Sequence, residues 1–322
     1  MEEKMIQANI EILKAISHIR NGFLDALMLL LTELGTEIVV IGVVCILYWC
    51  INKNMACRIG MAFFASGILV QGLKVGFHIE RPWVIDSTFA PVEAAKEGAT
   101  GYSFPSGHTQ GATALYGTLF TLTSRKWLKA IFIGLIALVA FTRLYLGVHT
   151  PLDVVTSALV SGICVFIFAR LSNILETDTY YDTTVGRVLA YTAAILCMFS
   201  YTMAFIVIVY QAHINDCYKS GGAGLGFALG WFFERNHLRF DVKTDKIWKQ
   251  IVKVVLGIAI TIGIKSGLKL IAEDNLIVDF IRYFLTVFWV LYLYPAIFNK
   301  FSLSKNCCDY SADSVTLLSL LI

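Results

Sequence analysis

The chain has 322 residues, 57% hydrophobic and 15% charged, with a mean hydropathy of +0.70. Soluble domains carry about 25% charge, so the composition excludes an ordinary soluble protein and points to an all-α, polytopic membrane helical bundle. A net charge of +3 marks no nucleic-acid partner, and the placement of Lys and Arg matters more than their sum.

In chain order, the start MEEKMIQANIEILKAISHIR is mixed in charge and lacks the apolar stretch of a cleavable signal peptide. Ile6, Ile10, Leu13 and Ile16 fall on one helical face, and Gln7, Glu11, Lys14 and His18 on the other. That pattern fits a helix lying in the membrane surface or one packed on the end of a bundle. Residues 22–34 are apolar but short, and read as interfacial or re-entrant. A span needs roughly 20 apolar residues, which predicts membrane helices at about 37–52, 55–77, 106–123, 127–146, 151–171, 187–211, 218–233, 250–271 and 279–298.

The loops at 52–58, 124–129, 170–187, 235–253 and 300–305 hold the basic residues, among them Lys53, Arg125, Arg235, Lys243, Lys253 and Lys305. The positive-inside rule makes these loops cytoplasmic. The loops at 72–105 and 143–150 then face outward, with the N-terminus outside and the C-terminus inside. Gly222, Gly226 and Gly230 form a small-residue face in the seventh span. It suits packing within the chain more than a contact between copies, although a homodimer stays open. Cys45, Cys164 and Cys197 read as buried residues, while Cys57, Cys217, Cys307 and Cys308 lie near predicted loops. Their spacing resembles neither a zinc site nor a disulfide framework.

Three outward stretches gather polar residues that are costly in lipid without a role. They are KVGFHIERP with Lys74 and Arg81, PSGH with Ser106, Gly107 and His108, and TRLYLGVHTPLD with Arg143, His149 and Asp153. Taken singly, each has a plain structural explanation. Ser106 can cap a helix, and Thr150, Pro151 and Asp153 can form the N-cap, N1 and N3 of the next. Taken together, they suit phosphoryl transfer. Three cations match the charge spread over equatorial phosphoryl oxygens, and a helix start offers free N–H groups. An imidazole oriented by a carboxylate can attack phosphorus, and a second can protonate the leaving alkoxide. The loop at 83–104, with Trp83, Asp86, Phe89, Glu93, Glu97 and Tyr102, reads as an ordinary solvated connection.

The spacing Lys-x6-Arg-Pro, Pro-Ser-Gly-His and Arg-x5-His-x3-Asp resembles the signature of the type 2 phosphatidic acid phosphatase superfamily over roughly residues 20–172. Thr142 stands where that family usually has serine. The resemblance implies a six-span helical core that works with no metal and no cofactor. It implies His149 as nucleophile, Asp153 as its partner and His108 as general acid, with Lys74, Arg81, Ser106, Gly107 and Arg143 cradling phosphate. The expected organisation is amphipathic and interfacial helices at 1–35, a membrane phosphatase core at 36–172, and an extension at 173–322 with three spans and a cytoplasmic tail.

The expected protein is an integral-membrane hydrolase of a lipid phosphate or diphosphate monoester, in the plasma membrane, with its site facing the non-cytoplasmic side. Its partners are then the substrate lipid and the bilayer. Other readings are a lipid phosphotransferase, a sugar-phosphate phosphatase, or a lipid-binding or transport protein on the same scaffold. A haloperoxidase fits the motif but not the membrane bundle. A metal hydrolase using His78, His108, His149 and Asp153 would place its metal between Lys74 and Arg81.

Overall fold

The structure is a computed structural model that describes residues 2–99, 101–177, 179–206, 211–242, 244, 246–267 and 275–300. Every regular element among the described residues is helical. Helices α1 (Glu2–Ser17) and α2 (Gly22–Thr32) precede α3 (Glu37–Ile46), which runs on through a π turn at Leu47–Ile51. Then come α4 (Lys53–Phe77), the short α5 (Pro82–Ile85), α6 (Gly107–Leu122), α7 (Lys126–Tyr145) and α8 (Pro151–Thr177). The remainder comprises α9 (Thr179–Ile206), α10 (Gln211–Phe233), α11 (Ile247–Gly267) and α12 (Leu276–Phe288). The last continues through a π turn at Trp289–Leu293 into α13 (Tyr294–Lys300).

Among the described residues, five units are long and apolar enough to span a membrane: Lys53–Ile85, Lys126–Tyr145, Pro151–Leu171, Ile247–Gly267 and Leu276–Lys300. Gly22–Gly35 and Glu37–Ile51 form a sixth as a pair bent by 49°. The segment at 22–34 is thus one arm of a bent pair, the geometry of a broken span or of the re-entrant segment expected from the sequence. The nine-span expectation counted helices that do not meet this test alone, for a physical reason. Helix α6 is ringed by α4, α7 and α8, so Thr109, Gln110 and Thr113 sit inside the bundle. Helix α10 carries Asp216 and Lys219 in its first half. A helix surrounded by protein need not be apolar all round. Helices α7 and α8 instead turn Trp127, Ile131, Val155 and Leu159 outward.

Helix α4 lies at the centre, with α6 and α8 on one flank and α9 and α10 on the other. The C-terminal helices are pinned to the α3 end by main-chain acceptors. Trp49 Nε1 donates to Val290 O and Tyr48 Oη to Leu291 O, each at 2.9 Å. Lys253, expected in a cytoplasmic loop, lies inside α11 and is fully buried, donating to Trp49 O at 2.9 Å. Lys243, Lys305, Cys307 and Cys308 lie outside the described residues.

The small-residue face packs within the chain. A Cβ on Gly222 would strike Phe280 O, and one on Gly226 would lie 2.5 Å from Phe284 O, so α10 and α12 approach backbone to backbone. Helix α1 takes the end-of-bundle alternative: Ile10 and Leu13 are buried, and Asn9 Oδ1 accepts from Leu152 N at the start of α8. Cys57, one turn into α4, and Cys217, inside α10, are both buried.

Candidate active site

Helix α4 brings Lys74 into its last turn and ends at His78, whose φ of 53° breaks the helix. The chain then reaches Arg81, which precedes Pro82 at the start of α5. Both cations are buried, and carbonyls of the following loop hold them. Lys74 Nζ donates to Tyr102 O at 3.1 Å, and Arg81 Nε to Gly101 O at 2.8 Å. Arg81 Nη1 also donates to Val148 O at 2.8 Å.

Helix α6 starts as the sequence predicts. Ser106 is extended and accepts from Thr109 N at 3.4 Å as the N-cap. Its own carbonyl accepts from Ser157 Oγ at 2.5 Å, which ties α6 to α8. Ser106 is fully buried, whereas Gly107 is exposed and His108 half-buried at the opening of the first turn. Gly35, at the bend between α2 and α3, leaves room for this turn: a Cβ there would lie 2.6 Å from His108 O.

The third stretch folds as a helix–corner–helix. Gly147, with φ of 74°, follows the last turn of α7, and Val148 N closes onto Arg143 O. The Thr150–Asp153 capping box forms reciprocally. Thr150 N donates to Asp153 Oδ2 at 2.7 Å, and Asp153 N donates to Thr150 Oγ1 at 3.3 Å. The same Oδ2 accepts from Ser103 Oγ at 2.5 Å and lies 3.5 Å from His149 Nδ1. Asp153 therefore caps α8 and flanks the imidazole at once.

The other face of the imidazole fixes its tautomer. Arg81 Nη1 lies 3.2 Å from His149 Nε2. A guanidinium has only donors, so Nε2 is the acceptor and Nδ1 carries the proton toward Asp153. His149 is 2% exposed. Burial first, and then the Arg81, Arg143 and Lys74 cations, hold its pKa well below the ordinary imidazole range. The group is a neutral imidazole with its Nε2 lone pair facing a guanidinium.

The first, second and third stretches thus converge on one end of the bundle. Arg143 is buried and held from α2, its Nη1 donating to Thr32 Oγ1 at 2.9 Å. His78 does not join the other histidines: its ring packs edge-on against Tyr102. Among the described residues no group of three His, Cys, Asp or Glu could hold a metal.

The loop at 83–104 is not a plain solvated connection. Phe89, Ala95, Ala99 and Tyr102 are buried, Asp86 pairs with Lys14 at 2.9 Å, and Arg20 donates to Ala90 O at 2.6 Å. Sequence reasoning missed Ser103, Thr32 and the carbonyls of Gly101 and Tyr102. Ser103 sits three residues before the helix cap, but its partner is 50 residues away and no local pattern links them.

A helical membrane bundle that gathers three buried cations around a neutral, carboxylate-flanked imidazole defines a membrane phosphatase. The comparisons with known proteins agree: residues 55–177 match the PAP2 superfamily, and residues 218–306 match its phosphatase transmembrane extension. This chain belongs to the PAP2 superfamily.

It is 33% identical over 178 residues to undecaprenyl-diphosphatase BcrC of Bacillus subtilis, covering 52% of this chain and 86% of that one. It is 29% identical over 172 residues to an undecaprenyl-diphosphatase of Sulfolobus acidocaldarius, covering 53% and 82%. Both relatives are therefore shorter chains. The crystal structure of Aquifex aeolicus LpxE is 28% identical, with a TM-score of 0.43 over 51% of this chain and 95% of that one.

Proposed function

We propose that the chain hydrolyses a lipid phosphate or diphosphate monoester through a phosphohistidine on His149, at the non-cytoplasmic end of the bundle. The observation that carries this reading is the pair of contacts on one imidazole, with Asp153 Oδ2 beside Nδ1 and Arg81 beside Nε2. A bound phosphoryl group would take the place of the imidazole as a partner of Arg81, leaving the Nε2 lone pair directed at phosphorus.

Nε2 then attacks phosphorus as the P–O bond to the lipid breaks, and His108 passes its proton to the departing oxygen. The positive charge that develops on the ring is stabilised by Asp153. Water next attacks the phosphohistidine, His108 takes the water's proton, and inorganic phosphate leaves with Nε2 restored. Lys74, Arg81 and Arg143 stabilise the equatorial oxygens in both steps. The N–H groups at the start of α6 add a further anion contact. Burial makes these charges count for more than they would at a surface.

The two relatives named as undecaprenyl-diphosphatases support a lipid-linked substrate. Outward orientation rests on the basic loops gathering at the other end, where Lys53 pairs with Glu234 and donates to Phe240 O.

The test is phosphate release by purified protein from a panel of lipid phosphates and from nitrophenyl phosphate. Vanadate, which adopts five-coordinate geometry, is expected to inhibit. EDTA is expected to leave the rate intact, because three fixed cations supply the charge compensation. Full loss in EDTA with rescue by magnesium or zinc contradicts this mechanism.

A further inference from the structure

Arg20 lies in the turn between α1 and α2, outside the matched stretch at 55–177, yet it reaches into the framework of the site. Its Nε donates to Tyr145 O at 2.8 Å, at the end of α7. Its Nη1 donates to Ala90 O at 2.6 Å, in the loop at 83–104. The guanidinium stands over the Phe89 ring, 5.3 Å from the centroid. It also closes on the Gly147 turn, where a Cβ would lie 2.6 Å from Arg20 Nη2 and 2.8 Å from Phe89 Cζ. One planar fork thus joins two segments that are far apart in the sequence.

Both segments carry groups of the site. The corner after Tyr145 runs through Val148, whose carbonyl accepts from Arg81 Nη1, to His149, whose Nε2 lies 3.2 Å from the same nitrogen. The loop supplies Gly101 O to Arg81, Tyr102 O to Lys74 and Ser103 Oγ to Asp153. Loop and corner also meet where Val92 N donates to Leu146 O at 3.0 Å. A second tie from the N-terminal segment runs beside Arg20. Tyr145 Oη accepts from Asn21 N at 3.3 Å and donates to Asp25 Oδ1 at 2.8 Å. Tyr145 is fully buried, so both of its polar ends are held by residues 20–25.

We propose that Arg20 is a positioning residue for phosphoryl transfer: by bridging the loop to the corner, it sets where His149 Nε2 stands relative to Arg81, and so to phosphorus. The proposal rests on the phosphatase reading of the same site. Arg20 touches none of the reacting atoms and acts only through the main chain it holds. Removing it frees Tyr145 O and Ala90 O from each other, so the segment carrying the nucleophile and the loop carrying the cations' acceptors can shift apart. A misplacement of about 1 Å can cost about 10²-fold in rate. Lysine is no equivalent, because it offers one nitrogen where the guanidinium serves two carbonyls through two nitrogens. The N-terminal segment is on this account part of the machinery that aligns the nucleophile, and more than a cover on the end of the bundle.

The experiment measures kcat and KM of the purified full chain in detergent, on nitrophenyl phosphate and on the best lipid phosphate of the panel. It compares wild type, Arg20→Ala, Arg20→Lys and Tyr145→Phe. Arg20→Ala is also assayed with low millimolar guanidinium chloride, and with sodium chloride as the control. The expected result is a fall in kcat of about 10–100-fold in Arg20→Ala on both substrates, with KM changed by less than about twofold. Guanidinium, which can reoccupy the place of the missing fork, is expected to restore part of the rate, and sodium is not. Arg20→Lys should fall between Arg20→Ala and wild type. Tyr145→Phe, which cuts the second tie, should lose up to about tenfold in kcat. An unchanged kcat in Arg20→Ala overturns the proposal and leaves the phosphatase standing. So does a loss shared by kcat and KM, or a loss that neither guanidinium nor lysine relieves, since support of the fold alone would give either. Where Arg20→Ala does not fold, unchanged kcat in both Arg20→Lys and Tyr145→Phe overturns the proposal. No turnover of any substrate by the wild type overturns the phosphatase reading itself.

Discussion

In the core, Lys74 and Arg81 donate to main-chain carbonyls and Arg143 to a threonine hydroxyl, whereas in the C-terminal helices Lys219 and Lys265 sit against Asp216 and Glu37. Carbonyls and hydroxyls fix a cation in place without adding a formal negative charge beside it. Carboxylates cancel the charge, so the extension's lysines contribute hydrogen bonds and little net field. The same residue type thus does different work according to what holds it.

The largest expected effect comes from the acidic member of the core set. Asp153→Asn keeps the shape but lets the amide favour the wrong imidazole tautomer, and kcat on nitrophenyl phosphate is expected to fall about 10⁴-fold. A drop of less than tenfold would reduce Asp153 to a helix cap. Next is Arg81→Ala, which removes a charged fork beside Nε2 and is expected to cost about 10²–10³-fold in kcat. Loss in KM alone would assign Arg81 to ground-state binding.

Ser103→Ala removes the 2.5 Å bond to Asp153 Oδ2. A hydrogen bond to a charged group contributes roughly 1.5 kcal/mol, which corresponds to about a tenfold fall in kcat with KM little moved, and Ser103→Thr is expected to restore most of it. An equal loss in both parameters, without rescue, would indicate general misfolding instead of positioning.

On the extension side, Gly226→Ala drives a methyl against Phe284 O. Overpacking of this kind costs about 1–3 kcal/mol, to be read as a lower unfolding midpoint in detergent. An unchanged midpoint would mean that α10 and α12 separate freely.

The smallest effect concerns the latch between α1 and the loop over the site. Hydrogen bonds from Thr88, and then Lys14, hold the Asp86 carboxyl down at about 2. The folded pKa lies below the unfolded one, so the contribution is complete above the ordinary carboxylate range and is lost as pH falls toward 2. The difference in midpoint between wild type and Asp86→Asn is therefore expected at pH 6 and should shrink with acidification. A difference that grows in acid would contradict the assignment.

What could be read in the sequence was local or fixed by spacing. Ser106 as a helix cap, the Thr150–Asp153 box and the glycine face of α10 are set by neighbours within one helical turn or one helical face, and all form as expected. The convergence of the three stretches was legible because lipid makes stray charges costly. What could not be read depends on pairings across the fold. Ser103 meets Asp153 only after α6 docks on α8, Thr32 meets Arg143 only because α2 packs on α7, and Glu37 meets Lys265 across 228 residues. The loop at 83–104 looked solvated because what orders it is long-range: Phe89 and Tyr102 are buried, Asp86 pairs with Lys14, and its carbonyls, which every residue type offers alike, hold Lys74 and Arg81.

The central claim is that His149 becomes covalently phosphorylated while His108 only moves protons. It is tested most directly by reacting the protein with a labelled phosphate ester and denaturing it in alkaline detergent, which preserves a phosphorus–nitrogen bond. The bound label is then located by peptide mass spectrometry in wild type, His149→Ala and His108→Ala. The expected result is label on His149 in the wild type and none in His149→Ala. His108→Ala should slow lipid turnover by about 10²–10⁴-fold, yet still label His149 from nitrophenyl phosphate, whose leaving group needs no proton. Label found on His108, or retained by His149→Ala, would contradict the account.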